Sequence, residues 1–349
     1  MYPSILARYK IMPHLDISER RRPQDGKISL VEGNTTYDFR VSTIPTIYGE
    51  KIVIRLYSSF NDTEDLKYLC TNEEDFKMIN SFLESPNGIV LLTGPTGSGK
   101  TTTLYSFLMK LNKEDTNIIT IEDPVENQID GINQVQVNYK TGLDFATALR
   151  SVLRQDPNIV MIGEIRDSET AYIAVQAAIT GHLVFSTVHT NDAITTLTRL
   201  IGMGVEPYLV SDAIRGAVSQ RLVRKLCPHS KKEHLVTKEE SEFLDIPVGT
   251  VVYEPNGCEF FNGTGFVERI AVFEMLQMTD ELRQIVNTNH ENSNLIKETA
   301  IKSGFKELYE KTSDLVRSGV TSIAEFKQIN NIADILHNKE LKKKAQAKK

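Results

Sequence analysis

The sequence contains no tryptophan and only three cysteines, Cys70, Cys227 and Cys258, among its 349 residues. Thiols so few and so scattered exclude a disulfide framework and fit a reducing compartment. No apolar run approaches the roughly 20 residues that a membrane-spanning helix needs. The opening stretch, MYPSILARYKIMPHLD, lacks the basic-then-apolar layout of a secretory signal. The expected location is therefore the cytoplasm. A basic surplus is missing as well: the net charge is -6, which argues against a sequence-wide nucleic-acid surface, and no nucleic-acid partner is expected. What is present is an ordinary globular composition, 40% hydrophobic and 25% charged, long enough for one large domain with satellites or for two domains.

Along the chain the texture changes several times. A helix-like start leads into ERRRPQDG, which reads as a turn. KISLVE, TYDFRVS and EKIVIRLY follow, β-branched or aromatic at period 2 and separated by Gly, Pro or Asn. This predicts a small α+β domain over residues 1–58. Residues 59–72 are polar and aperiodic, the expected linker. Over 73–225, the apolar runs GIVLLTG, NIITIED, NIVMIGE and HLVFSTVH alternate with helix-like stretches. Runs of this kind suit strands buried on both faces, and the alternation predicts an α/β core with a mostly parallel sheet. Residues 226–268 are polar, charged and Gly-rich. Residues 269–349 read as a set of helices ending in the basic tail KELKKKAQAKK, a solvated end.

The segment Gly94-Pro95-Thr96-Gly97-Ser98-Gly99-Lys100-Thr101, followed by Thr102, fits the phosphate-binding pattern G-x-x-x-x-G-K-[ST] at every position. It follows a buried-strand run and opens a helix, as the motif requires. Its glycines let successive backbone N–H groups turn inward toward phosphate oxygens, and the helix adds the positive end of its dipole. Lys100 is placed to reach the β- and γ-phosphates of ATP, and the Thr101 hydroxyl to ligate Mg2+.

Other strand tips carry acids and histidines. Ile159-Val-Met-Ile-Gly-Glu164 delivers Glu164 to a sheet edge, where a carboxylate orients or deprotonates water, or holds Mg2+ through water. Glu122, Asp123 and Glu126 follow the run NIIT, and His182 and His189 bracket LVFSTV. Ligands of open α/β sheets gather at the C-terminal ends of strands, so Glu122, Asp123 and His189 are candidate nucleotide or water contacts. For His182, which precedes its strand, a functional and a structural role both stand open.

Taken together, ERRRPQDG, DFRVSTIPTIYGEKIVIRL, GIVLLTGPTGSGKTTTLY, ITIEDPVE, LRQDPNIVMIGEIRD and TGHLVFSTVHTNDA resemble, in order, the blocks of the secretion-superfamily ATPases of type II secretion, type IV pili and competence systems. The resemblance implies a RecA-like P-loop NTPase core, with Glu122, Asp123 and Glu126 near Mg2+ and water, Glu164 as catalytic glutamate, and His182 and His189 in a histidine motif. It implies that Arg40 and Arg55 are directed from the N-terminal domain at nucleotide phosphates. It also implies a homo-hexamer at the cytoplasmic face of the membrane. There the ring would act on a polytopic platform protein and drive pilin or pseudopilin assembly.

Two features depart from the family pattern. Where relatives carry two C-x-x-C pairs, this chain has Cys227-Pro-His229-Ser230 and Cys258-Glu-Phe-Phe261, so two of four thiolate positions are lost and no zinc site is expected. The N-terminal domain also starts late against the family pattern and is expected to be a shortened version. Alternative readings are a pilus-retraction motor, a nucleic-acid-translocating P-loop ATPase and a nucleotide-binding scaffold without turnover.

Overall fold

The computed structural model describes residues 2–33, 35–57, 66–257, 263–337 and 339, and the chain divides into two compact units, 1–63 and 64–349. The first part of the expected linker, Cys258 with Phe261, and nearly all of the basic tail lie outside the described residues.

In the smaller unit a helix, α1 (Tyr2–Ile11), precedes three antiparallel strands, β1 (Gln24–Glu32), β2 (Thr35–Thr46) and β3 (Gly49–Tyr57), in the order β1-β2-β3. The period-2 pattern of the sequence is the pleat of these strands. Gly49, at φ 118°, closes the turn between β2 and β3, a conformation that L side chains resist. Lys10 is buried and donates to Oε1 of Glu50 at 2.7 Å and to the Glu19 carbonyl at 2.7 Å. This satisfied ion pair fastens α1 to the sheet.

The larger unit begins with a helical turn, α2 (Leu66–Leu69), and α3 (Glu73–Leu83). The second half of the expected linker is therefore structured. Leu66 is buried, and the Asn72 side chain caps α3 by accepting from the Asp75 N–H at 2.8 Å. Then come β4 (Gly88–Thr93), α4 (Lys100–Leu111), β5 (Ile118–Glu122), β6 (Asn133–Gln136), α5 (Phe145–Val152), β7 (Ile159–Ile162), α6 (Ser168–Ile179), β8 (Leu183–Val188), α7 (Ala193–Gly202), α8 (Pro207–Ala213) and β9 (Ile214–Leu226). A hairpin, β10 (Lys231–Leu235) and β11 (Val251–Pro255), holds α9 (Lys238–Leu244) between its strands. The chain continues through β12 (Phe266–Gln277), α10 (Asp280–Asn289), α11 (Ser293–Lys302), α12 (Leu308–Arg317) and α13 (Ile323–Ile329).

The central sheet has seven strands in the order β12-β9-β4-β8-β7-β5-β6, all parallel except the β12–β9 pair. Every residue of β4, β5, β7 and β8 is buried. Hydrophobic burial of such strands needs helices on both faces, which the β–α alternation supplies. Three of those helices start on the same device: Asp144, Asp167 and Asp192 accept from the N–H of Thr147, Thr170 and Thr195.

One expectation is corrected. Residues 269–277, read as the start of a helical region, belong to β12, the antiparallel edge strand. The run IAVFEML is apolar apart from Glu274, and periodicity alone does not separate a buried strand from a buried helix. Helices follow only from Asp280. α10 and α11 pack on the main core, whereas α12 and α13, with α9 and the β10–β11 hairpin, enclose a second core around Phe243, Leu244, Val316 and Phe326.

Candidate functional site

The phosphate-binding segment is a loop between β4 and α4, and its backbone needs its glycines. Gly94, Gly97 and Gly99 have φ of 144°, 80° and 85°. A Cβ on Gly94 would lie 2.5 Å from the Gln220 carbonyl oxygen, so β9 seals the loop from behind. A Cβ on Gly97 would meet open space. Gly99 caps α4 without a side-chain bond, which leaves the first N–H groups of the helix for an anion. Ser98 carries a buried hydroxyl with no partner among the described residues. The Lys100 ammonium donates to the carbonyls of Gly94 at 2.8 Å and Pro95 at 3.1 Å. Burial, and then the charge of Arg221, hold its pKa below the usual lysine value, while Glu164 acts the other way. Thr101 is exposed at the first turn of α4 and Thr102 half-buried. Loop, lysine and threonine fit a Mg2+–nucleoside triphosphate: neutral carbonyls now hold a cation that phosphate oxygens would bind more strongly.

Glu164 follows the tip of β7. Its carboxylate is mostly buried, and Oε2 receives both Arg166 Nε at 2.6 Å and His189 Nε2 at 3.2 Å. His189 comes from the end of β8. The adjoining Thr190 is tied to the end of β4, its N–H donating to the Thr93 hydroxyl at 2.9 Å. Asp123 is exposed beyond β5 and hydrogen-bonded to the Tyr139 phenol; burial first and Asp123 second raise the pKa of that tyrosine. Lys100, Glu164, His189 and Asp123 thus stand along one edge of the sheet, at the C-terminal ends of β4, β7, β8 and β5. A carboxylate there, near enough for its charge to act on the lysine of a phosphate loop, is placed to take a proton from water.

Glu122 departs from expectation. It is buried beneath the edge, accepting from the Tyr105 hydroxyl, from Thr120 Oγ1 at 2.6 Å and from Gln134 Nε2 at 3.1 Å. The Tyr105 oxygen accepts from the N–H of Glu126 at 3.2 Å, so this cluster shapes the 123–127 loop and places its acids. Glu122 faces α4, because side chains alternate along β5 and Thr120 and Glu122 share a face. Glu126 is half-buried. Tyr105→Phe is expected to cost about 1–3 kcal/mol of stability, read by thermal or denaturant melting, since it leaves a buried carboxylate short of a donor.

His182 lies at the other end of the sheet. Its Nδ1 is 3.0 Å from the Ala177 carbonyl, and its own carbonyl accepts from Gly88 N–H, so it ties α6 to the starts of β4 and β8. The structural role fits this placement. Arg40 and Arg55 are exposed and directly opposed across β2 and β3 in the smaller unit. Cys227 is buried, with its N–H bonded to the Gly265 carbonyl, and His229 is exposed. Among the described residues no group of three or more His, Cys, Asp or Glu is arranged to hold a metal ion.

Sequence reasoning missed two residues of this site. Arg166 could have been found from its place two residues after Glu164. Arg221 could not: it reaches the loop only because β9 lies beside β4.

A mostly parallel sheet with a glycine-rich phosphate loop after one strand and an acid after another defines a P-loop nucleotide-binding α/β protein. The chain belongs to the type II/IV secretion system protein family, whose model matches residues 2–328. It is 46% identical to a type II secretion system protein E of Dickeya dadantii over 81% of this chain and 57% of that protein. It is also 46% identical to the type IV pilus assembly ATPase PilB of Pseudomonas aeruginosa, over 93% of this chain and 58% of that protein. The chain therefore spans under two thirds of either relative. Among solved structures, the pilus retraction motor PilT with bound ADP matches with a TM-score of 0.65 at 25% identity, over 89% of this chain and 78% of that one. The ATPase DotB of Legionella pneumophila matches with a TM-score of 0.66 at 23% identity, over 88% and 77%, a likeness of fold.

Proposed function

We propose that the chain is an ATP-hydrolysing motor that powers assembly of a type II secretion pseudopilus or a type IV or competence pilus. The observation that carries this reading is that Lys100, on the phosphate loop, and Glu164, at the tip of β7, share one edge of the sheet, close enough for the carboxylate charge to act on the ammonium. In this reading backbone N–H groups of residues 94–101 and the Lys100 ammonium bind the triphosphate. Thr101 would hold Mg2+ and Glu164 would act on it through water, and the metal would supply positive charge to the phosphates. Glu164 takes the proton of the attacking water. Arg166 and His189 orient its carboxylate, and Asp123 supports the water network. Arg40 and Arg55 supply further cations to the phosphates, as guanidinium groups match oxyanions. The working form is a homo-hexamer at the cytoplasmic face of the membrane, acting on a polytopic platform protein.

Relatives described as protein E and PilB support assembly as the direction of work, and PilT stands as a related motor. Deleting the coding sequence separates the two. An assembly motor leaves cells without surface fibres or secretion, and plasmid-borne wild type restores them. Excess fibres in the deletion strain would overturn the assembly reading in favour of retraction. Purified protein is expected to release phosphate from ATP only with Mg2+, and EDTA abolishes the release.

A further inference from the structure

Behind the phosphate loop, on the β9–β12 side, a carboxylate is buried with no ion pair among the described residues. Glu274 of β12 is almost wholly enclosed. Its Oε1 accepts from the N–H of Ala193 at 2.8 Å and its Oε2 from the N–H of Leu308 at 2.9 Å, the first residues of α7 and α12. One side chain therefore caps two helices. Glu274 is registered opposite Ser219, and Arg221 opposite Val272, so Glu274 and Arg221 are diagonal neighbours on one face of an antiparallel ladder. Both line a cavity of about 370 Å³ together with Asp192, Glu307 and Tyr309. Arg221 points its guanidinium at neutral acceptors, the carbonyls of Gln220 at 3.0 Å and Asn191 at 2.8 Å. Its Nη1 would lie 3.1 Å from a Cβ on Gly94. Of the charges acting on this half-buried arginine, Glu274 is the largest, followed by Asp192.

We propose that Glu274 is a positioning residue for the nucleotide site, holding Arg221 against the phosphate loop while fixing the starts of α7 and α12. The inference rests on the nucleotide-binding reading of the loop. A carboxylate spends burial energy only where something returns it. Two backbone donors do so in part, and the diagonal guanidinium is the cation on which its charge acts. Arg221 then stands as a cation beside Lys100, whose charge it already opposes, and phosphate relieves the repulsion. The groups around Glu274 are Arg221 from β9, Asp192 before α7, and Glu307 before α12, itself paired with Lys297. Asp334 and Lys339 also line the cavity. Burial, with Asp192 and Glu307 adding to it, pushes the Glu274 carboxyl up to about 7. Its charge is therefore present above neutral pH and lost below it.

The test is affinity for a fluorescent ATP analogue in wild type, E274Q, R221A and the double variant, from about pH 6 to about pH 8.5. The ratio of wild-type to E274Q affinity cancels the titration of the nucleotide. It is expected near unity at the acid end, rising to about tenfold at the alkaline end. In the R221A background E274Q is expected to change nothing, and E274D, which restores the charge, recovers most of the loss. A merely structural role would lower the melting temperature without this pH signature or this dependence on Arg221. An equal effect of E274Q with and without Arg221, or a flat ratio, overturns the proposal. Should E274Q not fold, the ratio of wild type to R221A decides: a flat ratio overturns it. Wild type binding no better than K100A would overturn the nucleotide reading and this one together, whereas an additive cycle overturns this one alone.

Discussion

Glu164→Gln is expected to bind ATP and not turn it over. The amide matches the carboxylate in shape but takes no proton, and it loses the ion pair with Arg166. Loss of a general base costs typically about 10²–10⁴-fold in rate. The phosphate loop is untouched, because Lys100 is anchored on the Gly94 and Pro95 carbonyls rather than on Glu164. Phosphate release should therefore fall to near background while a fluorescent nucleotide still binds. Turnover within about threefold of wild type would remove Glu164 from the chemistry, since that is far short of the loss general-base removal produces.

Lys100→Ala should fail one step earlier. Truncating one partner of a desolvated charge contact costs about 2–5 kcal/mol, much of it the unpaired charge left on the phosphates. Both affinity and turnover are expected to collapse, measured by the same two assays. Stability should behave differently. The folded pKa of Lys100 lies below its unfolded value, because burial and Arg221 disfavour the charged form. Such a group weakens the fold below its folded pKa, and the loss is relieved as pH rises through that value toward the unfolded one. Removing it is expected to leave the melting temperature at neutral pH unchanged or raised. A variant that melts well below wild type would show that Lys100 holds the loop together.

The parts of this site that were legible in the sequence are the parts written locally. The phosphate loop is read from contiguous residues because glycine, lysine and threonine each answer a local backbone or charge requirement. Glu164 and His189 were legible because a continuous apolar run announces a buried strand and its end announces the sheet edge. Glu122 was misplaced for a reason of the same scale. Whether a strand-end acid faces water or a helix depends on the partner above it, here Tyr105, and nothing adjacent in sequence announces that hydroxyl. β12 escapes the sequence because its run, apolar but for Glu274, has no period to separate strand from helix. Arg221 and Glu274 were invisible because only the order of strands brings them to the loop.

That order has a mechanical consequence. The β9–β12 ladder runs from Gly216–Gln277 to Leu226–Phe266, and β9 in turn pairs with β4, which carries the phosphate loop. Ladder hydrogen bonds lie across the strands, so tension along β12 loads them side by side instead of unzipping them singly. Pulling on the helices beyond Gln277 is thus transmitted to the strand that ends at Thr93, just before the loop, through a stiff tie, not a slack tether.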